Sequence, residues 1–198
     1  MEITFIITLI ASYLIGAIPC GVILTKLTGA GDVRNSGSGN IGATNVYRTA
    51  GRKLGILTLI GDIVKGVIPV VYAVAMADMT TEQTAMIACA TFLGHLYPVY
   101  LSFKGGKGVA TYYGVILGIN WLVGLIALAI WLTMAALFKI SSLSALVSIF
   151  LTPFILWHFS QSVELTATAA LMSLIVFWRH QNNIKQLIQG TEERIDKN

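Results

Sequence analysis

GSGNIGATNVYRTAG, residues 37 to 51, opens as G-x-G-x-x-G. Read as a dinucleotide fingerprint, it makes the chain a doubly wound α/β protein. Read as a loop between apolar helices, it makes the chain a membrane bundle. The fingerprint has meaning only between a parallel strand and a helix packed on a sheet, with an acidic residue about 20 positions on. Asp62 stands at that distance, but inside a second apolar run, Leu54 to Met76, and the glycines follow another, Ile3 to Leu27. No segment is left to build the sheet, so the pattern predicts an all-α fold.

Composition agrees. Of 198 residues, 56% are hydrophobic and only 11% are charged, and mean hydropathy is +0.77. A soluble domain carries roughly 25% charged residues. So little charge cannot cover a water-facing surface, which points to an integral membrane protein. The first apolar run is too long for a signal-peptide core, follows Glu2 rather than a basic stretch, and precedes no A-x-A site. It is expected to be a retained span. Cys20 and Cys89 both fall in apolar segments, where small packing residues are expected rather than a disulfide.

Seven spans are expected: Ile3 to Leu27, Leu54 to Met76, Met86 to Leu101, Val109 to Ile119, Leu122 to Phe138, Leu143 to Phe159 and Leu165 to Trp178. With the N-terminus outside, Lys26, Arg34, Arg48, Arg52, Lys53, Lys104, Lys107, Lys139, Arg179, Lys185, Arg194 and Lys197 share one side. Glu2, Asp78, Glu82 and Glu164 take the other, which has no Lys or Arg. The positive-inside rule places the basic side, and the C-terminus, in the cytoplasm. The fourth span makes only about 16 Å of helix, short of a core of about 30 Å. Without it Lys139 and Glu164 land on the wrong sides, so it is kept as a short span beginning near Lys107. Trp121, Trp157, Trp178 and Tyr100 sit near span ends, as aromatic belts do, whereas Trp131 is expected between helices. No repeat or long linker divides the chain, and a single domain over residues 1–198 is expected.

Three polar stretches interrupt the apolar background, all on the basic side: Asp32 to Lys53, Phe103 to Thr111 and Arg179 to Arg194. In the first, glycines permit close backbone approach and an anion-binding nest. Ser38, Asn40, Thr44 and Asn45 add polar side chains, and Arg48 a fork suited to phosphate. A flexible polar turn is the plainer reading of this stretch taken alone. The second, FKGGKGVAT, lacks the outer residues of a Walker A loop, having Leu101 and Gly108 where Gly and Ser or Thr are required. Its lysines and glycines still precede a helix start, which favours anions; a basic loop resting on headgroups is the alternative. In the third, His180 and Asn183 share a helix face. A boundary histidine alone would be a hydrogen-bonding anchor. Convergence of three such clusters requires an anionic ligand between them.

Within the second span, Asp62 and Lys65 stand one helical turn apart. Intramembrane charges pair and face the bundle interior, so this pair is expected to brace the site from behind. His95 is a candidate support residue, and His158 a structural one, neither with a partner visible in sequence.

GSGNIGATNVYR, GHLYPVYLSFKGGKGVAT and RHQNNIKQLIQGTEE, in this order among seven spans, resemble the bacterial acyl-phosphate:glycerol-3-phosphate acyltransferases, the PlsY family. The resemblance covers essentially the whole chain. It implies acylation of the sn-1 hydroxyl of sn-glycerol 3-phosphate by an acyl phosphate, giving lysophosphatidate and phosphate, the first step of phospholipid synthesis, in the bacterial inner membrane. It implies no cofactor and no metal. The implied partners are the two substrates, membrane lipid and the enzyme that forms the acyl phosphate; no nucleic acid is expected. By motif position, the implied catalytic residues are Ser38, Arg48, Lys107, His180 and Asn183. The implied phosphate cradle is Gly37, Gly39, Gly105, Gly106 and Gly108, with Asn40, Thr44 and Asn45 in support. Gln181 and Asn182 depart from the charged residues usual there.

The chemistry fits the residues. Both substrates carry phosphate, and an acyl phosphate already has a good leaving group, so positioning and charge stabilisation are the protein's main tasks. No Ser-His-Asp set is evident, and H-x-x-x-x-D is absent, since Tyr100 follows His95 and Lys185 follows His180. Direct attack on the acyl carbon is expected, a substrate phosphate oxygen taking the proton, with His180 as the alternative base. An anion transporter is the rival class, suited by Asp62, Lys65 and short helices. It would show related halves and midplane polar residues, neither of which is visible. A purely structural subunit leaves the clusters unexplained.

Overall fold

The computed structural model describes residues 2–75 and 77–195, which form helices and turns with no strand among them. The expected span end at Met76 and the basic Lys197 lie outside these residues. Ten α-helices follow in order: α1 Glu2–Gly16, α2 Cys20–Leu27, α3 Ala43–Ala50, α4 Arg52–Ala75, α5 Thr81–Leu96, α6 Val109–Ile119, α7 Trp121–Phe138, α8 Ser141–Ser160, α9 Val163–Arg179 and α10 Gln181–Ile188. Among the described residues, α4, α5 with the turn after it, α7 and α8 are long and apolar enough to cross a membrane. The 17 residues of α9 and the 11 of α6 are shorter.

The first expected span is not one rod. It breaks between α1 and α2, whose axes differ by 47°. Pro19 lacks an N–H and disfavours helical geometry at Ile18, so the ladder cannot run through. The break exposes the Ile18 carbonyl, which accepts a hydrogen bond from Lys65 Nζ at 2.7 Å.

Local chemistry sets the helix starts. Thr80 and Gln83 form a reciprocal capping box that begins α5 at Thr81, ahead of the apolar onset at Met86. Asn120 accepts from the N–H groups of Leu122 and Val123 at 3.1 and 3.2 Å, separating α6 from α7 with a single residue.

Small residues let helices cross closely, the device that replaces hydrophobic driving force inside lipid. A Cβ on Gly16 would lie 2.0 Å from the Thr91 carbonyl, and one on Gly94 would lie 2.3 Å from the Tyr13 carbonyl, locking α1 against α5. Gly66 and Gly114 do the same for α4 and α6, with distances of 2.6 and 2.1 Å to facing carbonyls. Ser148 donates to the Ala127 carbonyl at 2.6 Å and Ser173 to the Ile149 carbonyl at 3.1 Å, tying α8 to α7 and α9.

The short α6, which runs between its Gly108 and Asn120 caps, is interior. Tyr112, Tyr113, Val115 and Ile116 are buried at the centre of the main core, with Phe92, Ile149 and Met172. Trp131 packs against this cluster as expected. Outward faces stay apolar instead: Ile3, Ile7, Leu132 and Leu174 are exposed, as lipid contact requires and water would not allow. A second cluster of Val22, Val33, Ile41 and Val46 anchors the long loop between α2 and α4. Cys20 and Cys89 are free thiols.

Candidate active site

The long loop is ordered by one side chain. Asn45 Nδ2 donates to the carbonyls of Val33, Ser36 and Asn40 at 3.2, 3.0 and 2.8 Å, while its Oδ1 accepts from the Ser38 N–H at 3.0 Å. Gly37 makes this possible. It has φ 58°, and a Cβ there would sit 2.3 Å from Asn45 Oδ1. Asn45 is thus the loop's frame, its amide consumed by backbone. At the loop entrance Asp32 caps the turn Val33–Asn35 and pairs with Arg34 at 2.6 Å; that guanidinium holds the Asp32 carboxyl well below the usual carboxylate range.

The glycine loop before α6 is held from two sides. Arg179 donates to the carbonyls of Gly105 at 3.0 Å and Gly106 at 2.9 Å. From behind, a Cβ on Gly106 would lie 2.2 Å from His95 Nε2, and one on Gly105 would lie 2.1 Å from the His95 carbonyl. These two glycines therefore admit His95, whatever else they admit. Gly108, with φ 90°, starts α6 where a Cβ would strike Phe92 at 2.5 Å. His95 in turn lies 3.8 Å from Asp62, which pairs with Lys65 at 2.8 Å outside hydrogen-bond directions. Asp62 and Lys65 are buried at 2% and 4% exposure. The ion pair read from sequence is present, and His95 lies between it and the glycine loop.

The three polar stretches converge. A cavity of about 560 Å³ is lined by Ser38, Thr44 and Arg48 from the first, Lys107 from the second, and His180 and Asn183 from the third. Gly37, Asn40, Asn45, Gly108, Asp62 and His95 also border it. Gly39 and Gly105 border a neighbouring polar cleft of about 360 Å³ that shares Ser38, Asn40 and Lys107, and Gln181 and Asn182 lie at its exposed edge. Gly106 and Lys65 border neither; they act from behind. The large cavity also has an apolar lining of Val109, Tyr113, Leu128, Trp131 and Leu132. Its size suits a small-molecule site.

Lys107 Nζ donates to Asn183 Oδ1 at 2.5 Å. Burial holds its amine below the ordinary 10.5; Glu192 opposes that shift, and Arg179 and Arg48 add to it. His180 is 4% exposed. Its Nδ1 lies 2.8 Å from the Val176 carbonyl, which can only accept, so Nδ1 carries the proton. Burial, with repulsion from Lys107 and Arg179, pushes the imidazole down from 6.5 to about 4 against the pull of that bond. The ring is neutral at physiological pH, and Nε2 keeps a free lone pair.

Residues not singled out in sequence complete the site. Ser141 Oγ lies 3.1 Å from Thr44 Oγ1. Glu192 Oε1 accepts from Asn183 at 2.7 Å and from Ser142, and Glu193 pairs with Arg48. For Arg179 a signal existed, since it adjoins His180. For the serines none did, because Thr44 and Glu192 lie far along the chain, and the glutamates entered only as the end of the third quoted motif, without a role.

The sequence profile of the glycerol-3-phosphate acyltransferases matches residues 6–190. The chain belongs to the glycerol-3-phosphate acyltransferase family. The family member from Syntrophotalea carbinolica is 50% identical over 191 residues, covering 96% of this chain and 97% of its own length. That from Caulobacter vibrioides is 47% identical over 196 residues, covering 98% and 89%. The solved structure of PlsY, an integral membrane glycerol 3-phosphate acyltransferase, in its glycerol 3-phosphate form superposes with TM-score 0.92 at 36% identity, over 96% of this chain and 95% of that one. Its lysophosphatidic acid form gives 0.90 at 34% identity, over the same shares. The bundle is therefore that of a membrane-embedded acyltransferase of this family.

Proposed function

We propose that the cavity transfers an acyl group from an acyl phosphate to the sn-1 hydroxyl of sn-glycerol 3-phosphate. The glycerol oxygen attacks the acyl carbon, the bond from that carbon to the phosphate oxygen breaks, and inorganic phosphate leaves with the hydroxyl proton. The products are lysophosphatidate and phosphate. One observation carries this reading: a single cavity is lined both by Arg48 and Lys107 and by the apolar side chains of Leu128, Trp131 and Leu132. One space thus offers cations for a phosphate and apolar wall for an acyl chain.

Arg48 and Lys107 bind phosphate oxygens, Ser38 adds a hydroxyl, and Asn183 aims Lys107. An acyl phosphate needs no covalent enzyme intermediate, because its leaving group is already activated. A substrate phosphate, with a pKa of about 6, is the final proton acceptor. A second reading is favoured by the His180 tautomer: with Nδ1–H engaged by Val176, Nε2 accepts a hydrogen bond from the glycerol hydroxyl and orients or deprotonates it.

The chain crosses the bacterial inner membrane seven times as one domain, with the N-terminus outside and the C-terminus and active site facing the cytoplasm. Two observations support this. The ends carrying Arg48, Lys107, Ser141 and His180 meet at one cavity, and the Ile195 N–H donates to the Lys139 carbonyl at 2.7 Å, as alternating spans require. The donor is tested by supplying purified protein with acyl phosphate, acyl-CoA or acyl carrier protein in turn. Lysophosphatidate from acyl phosphate alone agrees with the proposal. Efficient use of either thioester contradicts it.

A further inference from the structure

Arg48 is not free in this structure. Its Nη1 pairs with Glu193 Oε2 at 2.5 Å, and its Nη2 donates to the carbonyls of Glu193 and Arg194 at 3.3 and 3.4 Å. The guanidinium edge that would grip a phosphate is taken by the chain's own tail. The tail reaches it by turning back after α10 at Gly190, which has φ 69° and open space around it. The Thr191 N–H closes the turn on the Gln186 carbonyl at 2.8 Å, and the Ile195 N–H docks on the Lys139 carbonyl at 2.7 Å.

The two glutamates of this strap differ. Glu192 Oε1 accepts two side-chain hydrogen bonds, from Asn183 and Ser142, and its Oε2 is buried without a partner. It is a tether. The side chain of Glu193 is 72% exposed, whereas that of Arg48 is 25% exposed. The carboxylate can therefore swing into water without disturbing the core, while the guanidinium stays in the cavity wall.

From this geometry we propose that residues 191–195 form a tethered strap whose Glu193 carboxylate stands in, displaceably, for substrate phosphate on Arg48. The inference rests on the phosphate-binding reading of Arg48. Incoming glycerol phosphate, with more charge and three acceptor oxygens, must evict the carboxylate before it can engage the guanidinium. Glu193 thereby sets substrate affinity without touching the reacting atoms. Its presence lowers apparent affinity by the fraction of time Arg48 is open, and an exposed carboxylate–guanidinium pair makes that factor about two to five. A carboxylate in this place also keeps weaker anions off the guanidinium.

The test is titration calorimetry on the purified full-length protein in detergent, with sn-glycerol 3-phosphate and separately with inorganic phosphate. Glu193→Gln, with Glu193→Ala as a second variant, is expected to bind both about two- to fivefold more tightly than the unaltered chain, and KM for glycerol 3-phosphate should fall by the same factor. Unchanged or weaker binding in both variants overturns the strap, and would make Glu193 a group that merely orients Arg48. Failure of the unaltered protein to bind glycerol 3-phosphate at all instead overturns the catalytic reading.

Discussion

Lys107 Nζ and Asn183 Oδ1 are 2.5 Å apart although the residues are separated by 76 positions. The contact joins the glycine loop before α6 to the helix after α9, and it points an ammonium into the cavity. Asn183 is itself held by Glu192 at 2.7 Å, so the lysine is aimed by a chain of two bonds. Asn183→Ala should free Lys107 to wander. KM for glycerol 3-phosphate should rise about tenfold, the equivalent of one charge-assisted hydrogen bond, which steady-state kinetics will measure.

Burial holds the Lys107 amine below its ordinary value, so the free enzyme loses this cation at a lower pH than a solvent-exposed lysine would. The alkaline limb of kcat/KM should accordingly fall below about 10.5, the range of free lysine. Lys107→Arg keeps the charge at every accessible pH. It should move that limb upward even if turnover is lower, and a pH profile of both proteins checks this.

His180 is neutral because burial pushes its pKa to about 4. Its folded value lies below the unfolded one, so the unfolded chain binds more protons between these values. Stability from this group is complete above about pH 6.5 and is lost as pH falls toward 4. Melting in detergent should show that decline, and His180→Gln should flatten it. For catalysis, an imidazole that accepts from the hydroxyl contributes to kcat rather than to phosphate binding. His180→Ala should lower kcat by about 10²-fold or more with a small change in KM.

Asn45 makes four hydrogen bonds to loop backbone. Its replacement by Ala should cost on the order of 3 kcal/mol, because two amide hydrogens shared among three carbonyls and one accepting oxygen amount to about three bonds at about 1 kcal/mol each. Loop order should go with it. Asn45→Asp keeps the acceptor for Ser38 but loses the three donated bonds, so it should fare little better. Thermal melting and glycerol 3-phosphate KM will report both effects.

Asp62 and Lys65 are buried together, with the lysine also on the Ile18 carbonyl. Removing one charge strands the other. Asp62→Asn should destabilise by about 3–5 kcal/mol, and the double variant with Lys65→Met should recover part of that loss. The single variant should also loosen the glycine loop through His95, raising KM for glycerol 3-phosphate in protein that remains folded.

Helix positions were legible because a lipid-facing helix must be apolar along its length, and the three polar stretches stood out against that background. Their convergence followed from charge: Arg48, Lys107 and the amides need one anion to explain them together. Other features were hidden for physical reasons. Pro19 was visible inside the first apolar run, yet hydropathy averages over a break that leaves both sides apolar. Gly37, Gly105 and Gly106 read as ligand-facing glycines, but each also makes room for something from elsewhere: the Asn45 side chain at Gly37, the His95 carbonyl at Gly105 and the His95 ring at Gly106. His95 had no sequence partner because Asp62 comes from another helix. Glu192 and Glu193 closed the third quoted motif but received no role, since nothing local shows that the chain folds back at Gly190.

The account's central claim is acyl transfer between two phosphate-bearing substrates in the cavity of Arg48 and Lys107. The most direct measurement is the product balance of purified protein in detergent given acyl phosphate and labelled sn-glycerol 3-phosphate. The account predicts lysophosphatidate and inorganic phosphate in equal amounts, abolished by Arg48→Ala or Lys107→Ala. Phosphate release without labelled lysophosphatidate, or uptake of intact glycerol 3-phosphate into vesicles without any product, would contradict it.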